Sequence, residues 1–248
     1  MSCARTEILL GLDGIEKLWH QHVLIVGVGG VGCACAEALC RAGVGKMTLI
    51  DHDDISETNL NRLIIALHST IGKPKVEVLR QRLLDISPSM ELNTKRQFVD
   101  ESNVEQISQD SQIDFVVDCI DSISSKATLI ASCQKNNKRI ISAMGAGGKL
   151  DPTRVKIISL NQTAGDGLAR ELRKSLRKLG VALNIPVVFS DEPGITALPH
   201  QEVKGNEVCP SGRARAVNGT ISYMPNAFGL VMASFVVKET MLSLKKQS

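Results

Sequence analysis

VLIVGVGGVGCACAEALCRAGVGKMTLIDHDD, residues 23–54, is the stretch on which the fold turns. Its first four residues are apolar and mostly β-branched, as a short parallel strand buried on both faces requires. The run breaks at Gly27-x-Gly29-Gly30-x-Gly32 and passes into an Ala-, Cys- and Leu-rich segment with helical character. Strand, glycine turn and helix in that order make an anion site: glycines let the backbone come close to a phosphate, and the helix start offers unpaired N–H groups and the positive end of a dipole. A second apolar run, residues 47–50, ends in Asp51, where a carboxylate can bond a ribose hydroxyl. A nucleotide with phosphate and ribose is therefore expected, with Gly27, Gly29, Gly30, Gly32 and Asp51 around it.

Outward from this unit the pattern repeats. Strand-like runs at 23–26, 47–50, 92–98, 115–117 and 139–142 alternate with helical patterns near 33–41, 75–86, 103–108 and 124–135. That alternation predicts an α/β fold, a doubly wound, mostly parallel Rossmann-like sheet. A further strand is expected at 155–160 and a helix around 167–179. From 180 to 218 the pattern fades into a Pro- and Gly-punctuated segment, read as a long crossing loop with one strand at 186–189. The mostly apolar stretch 221–237 contains Pro225, Asn226 and Gly229, which suits a buried C-terminal helix better than a membrane span. The 248 residues, 43% of them hydrophobic, suffice for one domain over 1–248.

Composition narrows the setting. The formal net charge of +3 permits a nucleic-acid partner without demanding one. Seven cysteines are an odd number, and Cys33, Cys35, Cys40, Cys119 and Cys133 fall in apolar runs, where cysteine behaves as a small hydrophobe; a reducing, cytoplasmic setting follows. Arg5 and Glu7 precede only a short apolar run, residues 8–12, which is neither a signal peptide nor a span.

A nicotinamide dehydrogenase shares the glycine fingerprint, so other residues must separate the reactions. Beyond Asp51 come His52, Asp53, Asn59 and Arg62, then Lys73-Pro74-Lys75, then Asp118-x-x-Asp121. Hydride transfer has no use for these charges near phosphates. Attack on an α-phosphate does: negative charge builds on the phosphorus oxygens and on leaving pyrophosphate, and Arg, Lys and a carboxylate-held Mg²⁺ stabilise it.

The combination Gly-x-Gly-Gly-x-Gly, Asp51-x-Asp53, Asn59-x-x-Arg62, Lys73-Pro74-Lys75 and Asp118-x-x-Asp121 resembles the ATP-binding signature of the ubiquitin-activating-like adenylyltransferases, over residues 5–244. Within that superfamily, Gly145-Ala146-Gly147-Gly148-Lys149-Leu150-Asp151-Pro152-Thr153 and the segment 219–225 are most similar to the tRNA threonylcarbamoyladenosine dehydratases, which use ATP to cyclise a threonylcarbamoyl group on the adenosine beside the anticodon. The resemblance implies ATP and Mg²⁺ as cofactors, with Gly29 and Gly30 against the phosphates and Asp51 on the ribose. It implies that Asn59, Arg62 and Lys75 contact phosphate oxygens, and that Asp121 holds Mg²⁺. Arg5 matches an arginine that in the family reaches the partner's ATP site, which implies a homodimer.

Departures from the superfamily pattern are informative. Members that activate sulfur carriers often hold zinc through two Cys-x-x-Cys pairs; this chain has none, so no zinc is expected. Ala214 aligns where the dehydratases often place a cysteine, and the loop cysteine here is Cys209, which is either an acyl acceptor or merely exposed. An enzyme nucleophile is dispensable, since a carbamoyl group beside an adenylated carboxylate can close the ring by proximity. In the helix at 168–179, Arg170, Arg173, Lys174, Arg177 and Lys178 fall on one face at 100° per residue, opposite a stripe of Leu168, Leu172, Leu176 and Leu179. That basic face is either a phosphate-tracking surface for tRNA or a solvated face. The alternative is an adenylyltransferase that activates the C-terminus of a small sulfur-carrier or ubiquitin-like protein; a sulfur-transfer protein is a candidate partner.

Overall fold

A computed structural model describes residues 4–195 and 219–245. Among these residues seven strands form one sheet: β1 (His22–Val26), β2 (Lys46–Ile50), β3 (Glu91–Lys95), β4 (Phe115–Asp118), β5 (Arg139–Ala143), β6 (Val155–Ser159) and β7 (Pro186–Ser190). Their order is β3-β2-β1-β4-β5-β7-β6, parallel throughout except that β6 runs antiparallel to β7. β1 and β4 are buried along their whole length, which is why residues 23–26 and 115–117 read as continuous apolar runs rather than alternating ones.

Helices cover both faces. On one, α1 (Ala4–Trp19), α2 (Gly30–Ala42), α3 (Lys75–Ile86) and α7 (Tyr223–Lys245) pack against the odd-numbered side chains of β1 and β2, including Val23, Ile25, Met47 and Leu49. On the other, α4 (Val104–Gln109), α5 (Ile123–Lys135) and α6 (Gly167–Lys178) pack against Leu24, Val26, Ile50 and Val116. Strand order reverses between β1 and β4, and the crevice outside the carboxyl ends of those two strands is where such sheets bind ligands. The glycine turn after Val26 and the loop after Asp118 both open into it.

The C-terminal apolar stretch forms the expected helix, with Met224, Phe228, Met232, Ala233 and Val236 buried. No helix among the described residues is long and apolar enough to cross a membrane. The N-terminal run 8–12 belongs to α1, a helix that strand-and-helix periodicity does not announce, because Gly11 interrupts it at φ 73. Ile8, Leu9 and Leu12 stand 87%, 80% and 69% exposed on it.

Candidate active site

The glycine turn is fixed by strand ends. Gly27 N–H donates to Ile50 O at 2.8 Å, and Gly27 takes φ +91, a conformation only glycine adopts without strain. A Cβ on Gly32 would lie 1.9 Å from Gly27 O, so the start of α2 can sit this close to the turn only as glycine. Gly30 faces Pro225 of α7, whereas a Cβ on Gly29 would meet nothing within 4 Å. α2 has no capping side chain and no acid in its first turn, so its N-terminal amides and dipole suit an anion beside Gly29.

Asp51 is buried at the end of β2. Its Oδ2 accepts Val28 N–H at 2.6 Å and its Oδ1 accepts Asp53 N–H at 2.8 Å, so the carboxylate clamps the glycine turn to the following loop. Asp53 then pairs with Lys75, the first residue of α3, at 2.7 Å. Its other oxygen lies 3.0 Å from His52 Nε2, and His52 in turn meets the Phe98 ring edge-on. Asp51, His52 and Asp53 form a group of metal-ligand types within 4.8 Å of one another among the described residues.

Asn59 ends a 3-10 turn, Glu57–Asn59, and its Oδ1 accepts Ser56 N–H at 3.1 Å. Arg62 follows, partly buried, with Nη1 donating to Thr58 O and to Asn61 Oδ1, both at 2.8 Å. Burial lowers its pKa from the ordinary arginine value, and the charge of Asp121 works the other way. Asp121 is exposed in the loop after β4, and Ser122 rather than Asp121 caps α5. The first aspartate of Asp118-x-x-Asp121 plays a structural part. Fully buried, it pairs with Lys126 at 2.7 Å and accepts Ser142 Oγ–H at 2.6 Å. Lys126 is absent from the expected set because an isolated Lys carries no spacing signal, and His52, although next to Asp51 in sequence, is assigned no role there.

The start of α7 closes over this region. Asn61 Nδ2 donates to Thr220 O at 2.9 Å, and Asn226 Nδ2 donates to Arg62 O at 3.4 Å. Arg5 stands exposed in the first turn of α1 and, among the described residues, meets none of these groups within its own chain. Cys209 and Ala214 lie outside the described residues. Among the described residues Cys33, Cys35, Cys119 and Cys133 carry free thiols, and burial pushes the Cys133 thiol up to about 12, so it is no nucleophile near neutrality.

The basic face of α6 is smaller than its helical wheel. Arg170, Lys174, Arg177 and Lys178 are exposed, with Arg170 and Lys174 both paired to Glu171. Arg173 turns inward instead, donating to Thr163 O at 3.0 Å and to the Thr163 hydroxyl. The loop carbonyls between β6 and α6 lie beside α6 and take up that guanidinium, an interaction no periodicity reveals. Leu179, expected in the buried stripe, is 55% exposed just beyond the last turn.

The chain matches the ThiF family over residues 4–243. It is 37% identical to the tRNA threonylcarbamoyladenosine dehydratase of Bacillus subtilis over 98% of this chain and 95% of that one. The crystal structure of the Escherichia coli tRNA N6-threonylcarbamoyladenosine dehydratase in complex with ATP superposes with a TM-score of 0.88, at 34% identity, covering 99% of this chain and 96% of that one. The Escherichia coli molybdopterin-synthase adenylyltransferase is 38% identical, over 52% of each chain.

Proposed function

Because the chain belongs to the ThiF family, we propose that it is an ATP-dependent tRNA threonylcarbamoyladenosine dehydratase. The observation that carries this reading is likeness along nearly the whole chain to enzymes of that name, with Arg62 and Lys75 beside a glycine turn built for phosphates. Similarity to the molybdopterin-synthase adenylyltransferase stops at about half of either chain, so activation of a small protein's C-terminus is the weaker reading.

In the proposed reaction a threonyl carboxylate oxygen attacks the α-phosphorus of ATP and pyrophosphate leaves. The carbamoyl group then attacks the acyl carbon, AMP departs, and the product is one water lighter than the substrate. Gly29, Gly30 and the α2 N-terminus hold phosphate oxygens, while Asp51 takes the ribose with the lone pairs its two amide bonds leave. Asn59, Arg62 and Lys75 face the charge that develops on the α-phosphate, with Lys75 held in place by Asp53. Asp121 would hold Mg²⁺, which would supply positive charge against the leaving pyrophosphate. Its exposure and the coupling of its charge to Arg62 fit that place.

The proposed tRNA surface is Arg170, Lys174, Arg177 and Lys178, without Arg173. The proposed assembly is a homodimer in which Arg5 enters the partner's site, and three nearly bare apolar side chains beside Arg5 support a covered face there. A cytoplasmic location suits free cysteines, and no zinc is invoked.

Incubation of the purified protein with ATP and tRNA bearing threonylcarbamoyladenosine should release AMP and pyrophosphate and yield a nucleoside lighter by one water in mass spectrometry. ADP as the product would refute adenylation. Cys209→Ser should retain most turnover, since ring closure needs only proximity.

A further inference from the structure

Lys149 is a buried lysine outside the ATP-binding set. It follows Gly145–Gly148 at the end of β5, and its ammonium group donates to Asp166 Oδ2 at 3.1 Å and to Ser190 O at 2.9 Å. The aromatic faces of Phe189 and Phe228 lie 5.5 and 6.0 Å away. A buried ion pair with apolar walls is weak support for stability, because well-packed hydrophobic residues commonly do as well. Its placement is what stands out. Asp166 is the N-cap of α6, accepting Ala169 N–H at 2.8 Å through Oδ1 while Oδ2 takes Lys149. A Cβ on Gly145 would come within 3.0 Å of that same Oδ2, so the turn after β5 is fitted to the carboxylate.

From Lys149 a run of hydrogen bonds leads to the ATP site. Its neighbour Gly148 donates N–H to Gly219 O at 2.8 Å; Thr220, next in sequence, accepts Asn61 Nδ2–H at 2.9 Å; Asn61 Oδ1 accepts from Arg62 at 2.8 Å. A second route runs through α7, where Phe228 faces Lys149 and Asn226 donates to Arg62 O at 3.4 Å. Both routes begin at a phosphate-facing arginine and end at the cap of the exposed basic helix.

We propose that Lys149, paired with Asp166, is a positioning residue that fixes α6 relative to Arg62, so that RNA held on the helix presents its reacting carboxylate to the α-phosphate. The proposal rests on the reading that α6 meets tRNA.

The test compares three full-length proteins with the native one. Lys149→Met with Asp166→Asn removes both charges yet keeps a capping side chain on α6. A second protein changes Arg170, Lys174, Arg177 and Lys178 to Gln, and a third combines the two sets. The pair variant should keep ATP affinity and thermal midpoint close to native, while kcat/KM for tRNA falls about 10- to 100-fold, the scale of a misplacement of about 1 Å. In its background the four Gln changes should weaken tRNA binding less than they do in the native protein, since a displaced helix has less to lose. Native kcat/KM in the pair variant, additive effects in the combined protein, or parallel loss of ATP and tRNA binding would each overturn the proposal. Native tRNA affinity in the four-Gln protein would overturn the reading beneath it, and is seen without touching Lys149.

Discussion

At the residue scale, the site region contains charges with two kinds of work, and burial sorts them. Lys126 and Asp118 are both fully buried, with Ser142 and the Ile120 amide completing the carboxylate's bonds. Removing one partner leaves a charge in a low-dielectric interior, so Lys126→Met should destabilise the fold by about 3–5 kcal/mol, read as a lower urea midpoint. Adding Asp118→Asn should recover part of that loss by removing the stranded charge. Asp121 is exposed three residues further on, and its change should leave stability nearly untouched. If it holds Mg²⁺, Asp121→Ala should weaken ATP binding by calorimetry when Mg²⁺ is present and hardly at all in chelator. Equal weakening in both conditions would remove the metal role. Lys75 lies between these cases, buried yet paired to Asp53 at 2.7 Å.

At the element scale, α6 shows what charge periodicity can and cannot reveal. Arg170, Lys174, Arg177 and Lys178 are on the surface, and their replacement by Gln should weaken tRNA binding, with ATP binding unchanged. The log–log salt slope should flatten by nearly one for each phosphate that is no longer neutralised. Arg173→Gln should act on stability instead, because its guanidinium serves Thr163. The helical wheel places Arg173 with the others; the neighbouring loop that recruits it is a tertiary fact. Elsewhere the inner strands β1, β2, β4 and β5 are legible because they are buried along nearly their whole length, and α3 is legible because Lys73-Pro74-Lys75 marks its start. The third strand ends at Lys95 rather than reaching Phe98: Arg96 turns to Asp54, and Phe98 packs on His52. The first helix is illegible because Gly11 breaks its period and Ile8, Leu9 and Leu12 face outward, so no buried stripe marks it. The antiparallel setting of β6 leaves no sequence trace, since a strand's apolar run does not record its direction. In the candidate site, spacing reveals the residues that follow strand ends, while Lys126, Lys149 and His52 acquire partners only through folding.

At the scale of the whole molecule, the question is whether one chain makes a complete site. Within its own chain Arg5 is exposed at the start of α1, which breaks at Gly11 before packing near α7. The apolar side chains of Ile8, Leu9 and Leu12 beside it are exposed, and clustered exposed apolar side chains mark interaction faces. A twofold assembly would cover them and carry each Arg5 to the other protomer's phosphates, by the reciprocity of an isologous interface. The arrangement is testable by complementation. Arg5→Ala protein and Arg62→Ala protein should each be nearly inactive, since each lacks one arginine in every site. When protomers exchange, half of the dimers are mixed, and in each mixed dimer one site draws native Arg62 from one protomer and native Arg5 from the other. The mixture should therefore regain about a quarter of native turnover. An Arg5 that served its own site would give no recovery, because every site in the mixture would still lack one arginine. Differently tagged protomers report whether exchange has occurred, so silence in a mixture with proven heterodimers would place Arg5 in its own chain's site, and an active Arg5→Ala parent would place it outside catalysis.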